Sequence, residues 1–287
     1  MPLTSTADRL PPHRARKRFG QHFLVDQQVI ADIVGGLALQ PGDQVVEIGP
    51  GLGALTSPLL QRLGHLHVLE IDRDIIACLQ RRYPSDSLTI HAGDALLFDF
   101  SGLSRAVGSR LRVVGNLPYN ISTPLLFHLA RFAGVIDDMH FMLQREVVER
   151  MVAAPGSGVF GRLSVMLQYR FCMEALLHVP PEAFDPVPRV DSTVVRLVPR
   201  PPEQLAATDE KRFAALVAAA FAQRRKMLRN SLGGLVEGAQ LAALGLASSC
   251  RAEELSVADF VRLANSLQRE QPVALRVGQS IGADDVD

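Results

Sequence analysis

Gln44 to Ala54 reads QVVEIGPGLGA, a short apolar run that passes straight into a glycine-rich turn. The run has strand character, and the turn leads into LTSPLLQRL at Leu55 to Leu63, with apolar residues at helical spacing. Gly49 and Gly51 allow tight backbone turns and close approach of a ligand, and the helix start offers free N–H groups. Gly49, Gly51 and Ala54 formally satisfy G-x-G-x-x-G/A, so a dinucleotide-dependent oxidoreductase has to be weighed.

Outward from this unit the alternation continues. His67–Ile71, Leu88–His91, Arg112–Gly115 and His140–Leu143 read as strands, while Ile75–Arg82 and Pro124–Arg131 read as helices. Strands that alternate with helices build a doubly wound α/β sheet, with ligands expected at the carboxyl ends of the strands. After about Gln144 the pattern changes. A helix through Val152 and another to Tyr169 precede candidate strands Cys172–Val179 and Thr193–Val198, which suit an antiparallel edge. PRPPE at Pro199–Glu203 is a stiff linker. Beyond it, Asp209–Ala222, Arg224–Leu232, Gln240–Leu246 and Val257–Leu267 are helical in pattern, a small all-helical second domain. The expected organisation is an arm over 1–15, a catalytic domain over 16–200, a helical domain over 201–270 and a tail over 271–287. The arm and tail lack periodicity and are expected to be disordered.

Composition bounds the function. A chain of 287 residues, 47% hydrophobic and 21% charged, is a globular protein of two domains. Its longest apolar stretch, Phe213–Ala222, is far short of the roughly 18 residues a membrane span needs. The N-terminus is polar and then basic, without a secretory h-region, so a cytoplasmic location is expected. Cys78, Cys172 and Cys250 lack metal-ligand spacing. The formal charge is zero, so any nucleic-acid site must be local. Two basic clusters qualify: Arg14, Arg16, Lys17 and Arg18, and then Arg224, Arg225, Lys226 and Arg229. Either, taken alone, also fits a solvated face.

The chemistry lies at successive strand ends. Glu70, about 20 residues after the glycine turn, can accept from both ribose hydroxyls of a cofactor. Asp94 can accept from an adenine amino group, or simply cap a helix. NLPY at Asn116–Tyr119 offers two acceptors, the Asn116 amide oxygen and the Leu117 carbonyl held by Pro118, to an exocyclic amine. The Tyr119 ring can stack on a base. Asn116 could otherwise merely cap the turn before Ser122. No acid or base suited to hydride transfer accompanies these residues, which disfavours the oxidoreductase.

The chain resembles the KsgA-type ribosomal RNA adenine dimethyltransferases from about Arg16 to Leu267. The resemblance rests on RKRFGQHFL at Arg16–Leu24, EIGPGLG from Glu47, GNLPYNIS at Gly115–Ser122, FDPVPRVDS at Phe184–Ser192 and FAQRRKMLRNSL at Phe221–Leu232. It implies a Rossmann-like class I methyltransferase sheet with a helical C-terminal domain, and S-adenosylmethionine as cofactor. The implied reaction is dimethylation of N6 on two adjacent adenosines near the 3′ end of 16S rRNA, in an immature 30S subunit, by a monomer. By similarity His22, Leu24, Gly49, Glu70, Asp94 and Asn116 bind the cofactor. Many relatives carry Asn in place of His22. Asn116, Leu117 and Tyr119 handle the target base, and Phe184 covers its other face or else packs as a hydrophobic plug. Lys17, Arg18, Arg224, Arg225 and Lys226 contact phosphates, positioning the RNA without reading its sequence. A large-subunit resistance methyltransferase and a noncatalytic assembly or transcription factor on the same fold are the alternatives.

Overall fold

The computed structural model describes residues 22–223, 226–247 and 249–267. The chain divides into two compact units, Met1–Val152 with Leu167–Pro201, and Ala153–Met166 with Pro202–Asp287.

The first unit begins with strand β1 (Phe23–Leu24) and helix α1 (Gln27–Gly36). There follow β2 (Gln44–Ile48), α2 (Thr56–Leu63), β3 (Leu66–Glu70), α3 (Arg73–Arg82), β4 (Leu88–Ala92), α4 (Phe100–Val107), β5 (Leu111–Asn116), α5 (Ser122–Ala130) and β6 (Ile136–Gln144). Helices α6 (Arg145–Val152) and α7 (Arg162–Arg170) lead to β7 (Phe171–Val179), β8 (Phe184–Asp185) and β9 (Ser192–Pro199). Among the described residues, seven strands form one sheet in the order β4-β3-β2-β5-β6-β9-β7. The first five in that order are parallel, and β9 and β7 add on antiparallel. Every expected strand is present, most of them longer at one or both ends than the sequence pattern indicates.

Four elements were not expected. Helix α1 is capped by Asp26, whose carboxylate accepts from the Gln28 and Val29 N–H groups. It turns Ile30, Ile33 and Val34 into a core shared with Val45, Val114, Met142 and Val194 from four strands. Helix α4 buries Phe100 and Leu103. The two-residue strands β1 and β8 pair antiparallel, Leu24 opposite Phe184, and tie the start of the described chain to the loop after β7.

The second unit contains α8 (Glu210–Phe221), α9 (Leu228–Ser231), α10 (Gly238–Ala243) and α11 (Val257–Ser266). Phe213, Leu216, Val217 and Ala220 of α8 are buried, as are Phe260, Val261, Leu263 and Ala264 of α11. Residues 153–166 belong to this unit: Gly156 N–H donates to Glu253 O at 2.7 Å, and Phe160 meets the Phe221 ring. The helix expected over Arg224–Leu232 is corrected. Helix α8 stops at Phe221, Lys226 stands in a bend, Met227 bridges to Arg251, and helix resumes only at Leu228. The bridge spends the Met227 backbone on a strand-like contact, which a continuous helix cannot make. Among the described residues no helix is long and apolar enough to cross a membrane.

Candidate active site

The parallel strands end in a common cleft of about 1140 Å³. Its walls are the turn after β2, the ends of β3 and β4 at Glu70–Ile71 and Gly93–Leu96, the segment Asn116–Ile121 after β5, and His22–Val25. The turn is left-handed at Gly49, Gly51 and Gly53, with φ of 68°, 53° and 87°, which side chains with a Cβ rarely adopt. Gly49 N–H donates to Leu69 O at 2.9 Å, which locks the turn to β3.

Glu70 closes β3 at the cleft wall, and its Oε1 accepts from the N–H groups of Ile71 and Asp72, both at 2.8 Å. Burial raises its carboxyl above the usual range, and those backbone bonds work against the rise. Asp94 follows β4 in the cleft wall. Its Oδ1 accepts from Leu96 N–H at 2.9 Å, a turn-capping bond, and the residue lines the cleft. No bond reaches its other oxygen among the described residues.

Asn116 ends β5 opposite Met142 on β6. Its Nδ2 donates to the His22 carbonyl at 3.0 Å, which orients the amide and leaves Oδ1 as the acceptor. Leu117 N–H donates to Met142 O at 3.2 Å, holding the next peptide in place. The Tyr119 hydroxyl shares a 3.0 Å hydrogen bond with Ser192 Oγ, from the start of β9. Burial raises the Tyr119 phenol pKa, so this group stays neutral. The His22 ring stacks on Tyr119 at 5.8 Å between centroids and 25° between planes, and its Nδ1–H donates to Pro186 O at 2.7 Å.

The structure thus brings His22, Leu24, Gly49, Glu70, Asp94, Asn116, Leu117 and Tyr119 to one cleft. Phe184 is a correction. It is 2% exposed and packs in the core with Leu24, Val34 and Val194, because pairing of β8 with β1 turns its side chain inward. The hydrophobic plug is therefore its role here. Lys17, Arg18, Arg224 and Arg225 lie outside the described residues, as do the arm over 1–15 and the tail over 271–287; Lys226 is exposed.

Two residues escaped the sequence reading. Ser192 closes the FDPVPRVDS motif, but nothing local marks it as the anchor of Tyr119, 73 positions away. Glu47 lies inside the glycine motif and lines the cleft. Its Oε2 accepts from Thr56 Oγ1 at 2.6 Å. Burial pushes its carboxyl up to about 7; the Thr56 bond opposes this and the Glu70 charge adds to it. An acid near the end of the apolar run, two residues before Gly49, was the available signal. Glycine turn, apolar walls and three carboxylates together suit a ligand with sugar hydroxyls, an amino-bearing base and positive charge.

The family model described as "Ribosomal RNA adenine dimethylase" matches residues 12–269. The chain is 62% identical over 255 residues to the ribosomal RNA small subunit methyltransferase A of Chromobacterium violaceum, covering 89% of this chain and 96% of that one. A dimethyladenosine transferase from Plasmodium falciparum superposes with a TM-score of 0.72 at 25% identity, over 84% of this chain and 96% of that one. The 23S rRNA methyltransferase ErmE gives 0.67 at 25% identity, over 85% and 99%.

Proposed function

The chain belongs to the ribosomal RNA adenine dimethylase family, and from that premise we propose that it dimethylates N6 of two adjacent adenosines near the 3′ end of 16S rRNA. The enzyme is an S-adenosylmethionine-dependent rRNA adenine methyltransferase. Its substrate in our reading is an immature 30S subunit, and it acts as a cytoplasmic monomer. The observation that carries the mechanism is the tethered Asn116 amide, whose Nδ2 is spent on the His22 carbonyl so that Oδ1 faces its task.

Glu70 accepts from the ribose hydroxyls and Asp94 from the cofactor's adenine amino group. The glycine turn admits the backbone close to the ligand, and Leu24 and His22 close the near wall. When bound, S-adenosylmethionine supplies a methyl group already activated by a positively charged sulfur, so no strong base is needed. Asn116 Oδ1 and the Leu117 carbonyl accept the two N–H bonds of the target amine and draw its lone pair out of the ring. Tyr119, anchored by Ser192, is the platform for the unstacked base. Stacking returns about 1 to 3 kcal/mol of the few that unstacking costs. Alignment is the main contribution, worth roughly 7 to 11 kcal/mol in favourable intramolecular models. The amine proton leaves to solvent.

Lys17, Arg18, Arg224, Arg225 and Lys226 are assigned to phosphates, with selection of the site left to RNA shape. The small subunit is favoured over the large by 62% identity to a small-subunit enzyme against 25% to ErmE. The complete set of cleft residues disfavours a noncatalytic factor. The test is methylation by the purified protein of immature small subunits, naked 16S rRNA and large subunits side by side. Paired dimethyladenosines in one 3′-terminal fragment of the immature particle are expected. Modification confined to the large subunit would reject the reading.

A further inference from the structure

The mechanism above leaves Glu47 without a task, although it is one of three carboxylates in the cleft wall. It is 2% exposed, and among the described residues no ion pair reaches it. Among the described residues its neighbours supply no compensating cation. Thr56 on α2 gives a hydroxyl, and Val114, opposite it on β5, is apolar. Glu70 at the end of β3 adds negative charge. Two arginines line the cleft but are turned to backbone: Arg62 Nη1 donates to Val34 O at 2.8 Å, and Arg82 Nη1 to Leu52 O at 3.0 Å. The other titratable residues of the lining are Asp94, His22 and Tyr119. A buried carboxylate so placed favours its protonated form until positive charge arrives nearby.

The two ligands of a methylation cycle differ in this respect. Donor and product share an ammonium and a carboxylate, which cancel. The donor adds a sulfonium charge. In the product the electron pair of the broken carbon–sulfur bond stays on sulfur, which is neutral. Resting on S-adenosylmethionine as the donor, we propose that Glu47 is the residue by which the cleft distinguishes donor from spent product. It holds a proton in the free and product-bound enzyme, and releases it to solvent when the cationic donor enters. Transfer removes the charge, and Glu47 takes a proton back. The geometry ties this exchange to the cleft, because Glu47 lines it from the next-to-last position of β2, two residues before Gly49, and is bonded to Thr56 at the start of α2.

A free-enzyme carboxyl titrating at about 7 is half protonated at pH 7 and about nine-tenths protonated at pH 6. Donor binding should therefore release about 0.5 proton at pH 7 and up to about 0.9 at pH 6. The donor-to-product affinity ratio should rise with pH, by up to about tenfold per unit below 7, and level off above it.

The experiment is calorimetric titration of the full chain at pH 6 with S-adenosylmethionine and, separately, S-adenosylhomocysteine, in buffers of different ionisation enthalpy. Glu47→Gln serves as the comparison, since it mimics the protonated form and can still accept from Thr56. Expected is proton release with the donor, almost none with the product, and none with either ligand in E47Q. Equal release with both ligands, or undiminished release in E47Q, overturns the proposal. Should E47Q not fold, the pH dependence of the wild-type affinity ratio decides, and a flat ratio between pH 6 and 8 overturns it. Failure of either ligand to bind the wild type would instead reject the cofactor assignment on which the proposal rests.

Discussion

Gly115→Ala should damage both stability and turnover, and the size of the effect follows from one contact. Gly115 precedes Asn116 on β5, and a Cβ built there stands 2.5 Å from the Ile48 carbonyl oxygen on neighbouring β2. Ordinary contact begins near 3.4 Å, so the strands must separate by about 0.9 Å, the difference of the two distances. Ile48 O is backbone and cannot swing aside as the end of a long side chain would. Overpacking of this kind costs about 1 to 3 kcal/mol. The displacement also carries Asn116 away from the Gly49 turn, and a misplacement near 1 Å can cost about 10²-fold in rate. Denaturant unfolding reads the first effect, and single-turnover methylation at saturating donor reads the second. Gly134→Ala, where a Cβ meets nothing within 4 Å, is the control and should change neither by much. A Gly115→Ala protein as stable and as fast as wild type would refute the close approach of β2 and β5 as the device that positions Asn116.

Asn116→Ala should lower single-turnover methylation by roughly 10² to 10³ with RNA binding largely retained, and a near-normal rate would reduce Asn116 to a turn residue. Glu70→Ala should weaken S-adenosylmethionine binding by about 1 to 3 kcal/mol in calorimetry, and unchanged affinity in a folded variant would remove it from the ribose site. Phe184→Ala should cost about 3 to 5 kcal/mol of stability, as for other buried aromatics. A variant of wild-type stability but slow turnover would return Phe184 to the base. His140, 4% exposed on β6, has its pKa lowered to about 4 by burial, with Asp138 raising it and Arg112 and Arg196 lowering it. Between about pH 6.5 and 4 the unfolded chain binds the extra proton, so this residue subtracts stability as pH falls, by up to about 3 kcal/mol at pH 4. Urea unfolding of wild type and His140→Leu at pH 7.5 and 5 checks the sign, and an identical pH dependence in the two would contradict it.

The parallel half of the sheet was legible because β2, β3, β4 and β5 are short apolar runs separated by amphipathic helices. The strand-end residues Glu70, Asp94 and Asn116 followed from that register. Helix α1 was missed: Asp26 as cap and the spacing of Val29, Ile30, Ile33 and Val34 carry its signal, but it precedes the stretch in which the alternation announces itself. Helix α4 was harder: Ser101, Gly102 and Ser104 weaken its local preference, and burial of Phe100 and Leu103 supplies what propensity does not. Phe184 could not be settled from the sequence. An aromatic before a proline-rich loop suits a base platform and a core plug equally, and only the pairing of β8 with β1 decides between them. The Tyr119–Ser192 and Asn116–His22 bonds join positions far apart in the chain, and no local pattern encodes them. Glu47 was visible as a letter in a motif, whereas its burial beside Glu70 is a property of the fold.

The measurement that bears most directly on the central claim is mass spectrometry of nucleosides from small-subunit rRNA of cells with and without this protein. Expected is N6,N6-dimethyladenosine in the first and its loss in the second, restored by the wild-type chain and not by Asn116→Ala. Dimethyladenosine unchanged in cells lacking the protein would contradict it.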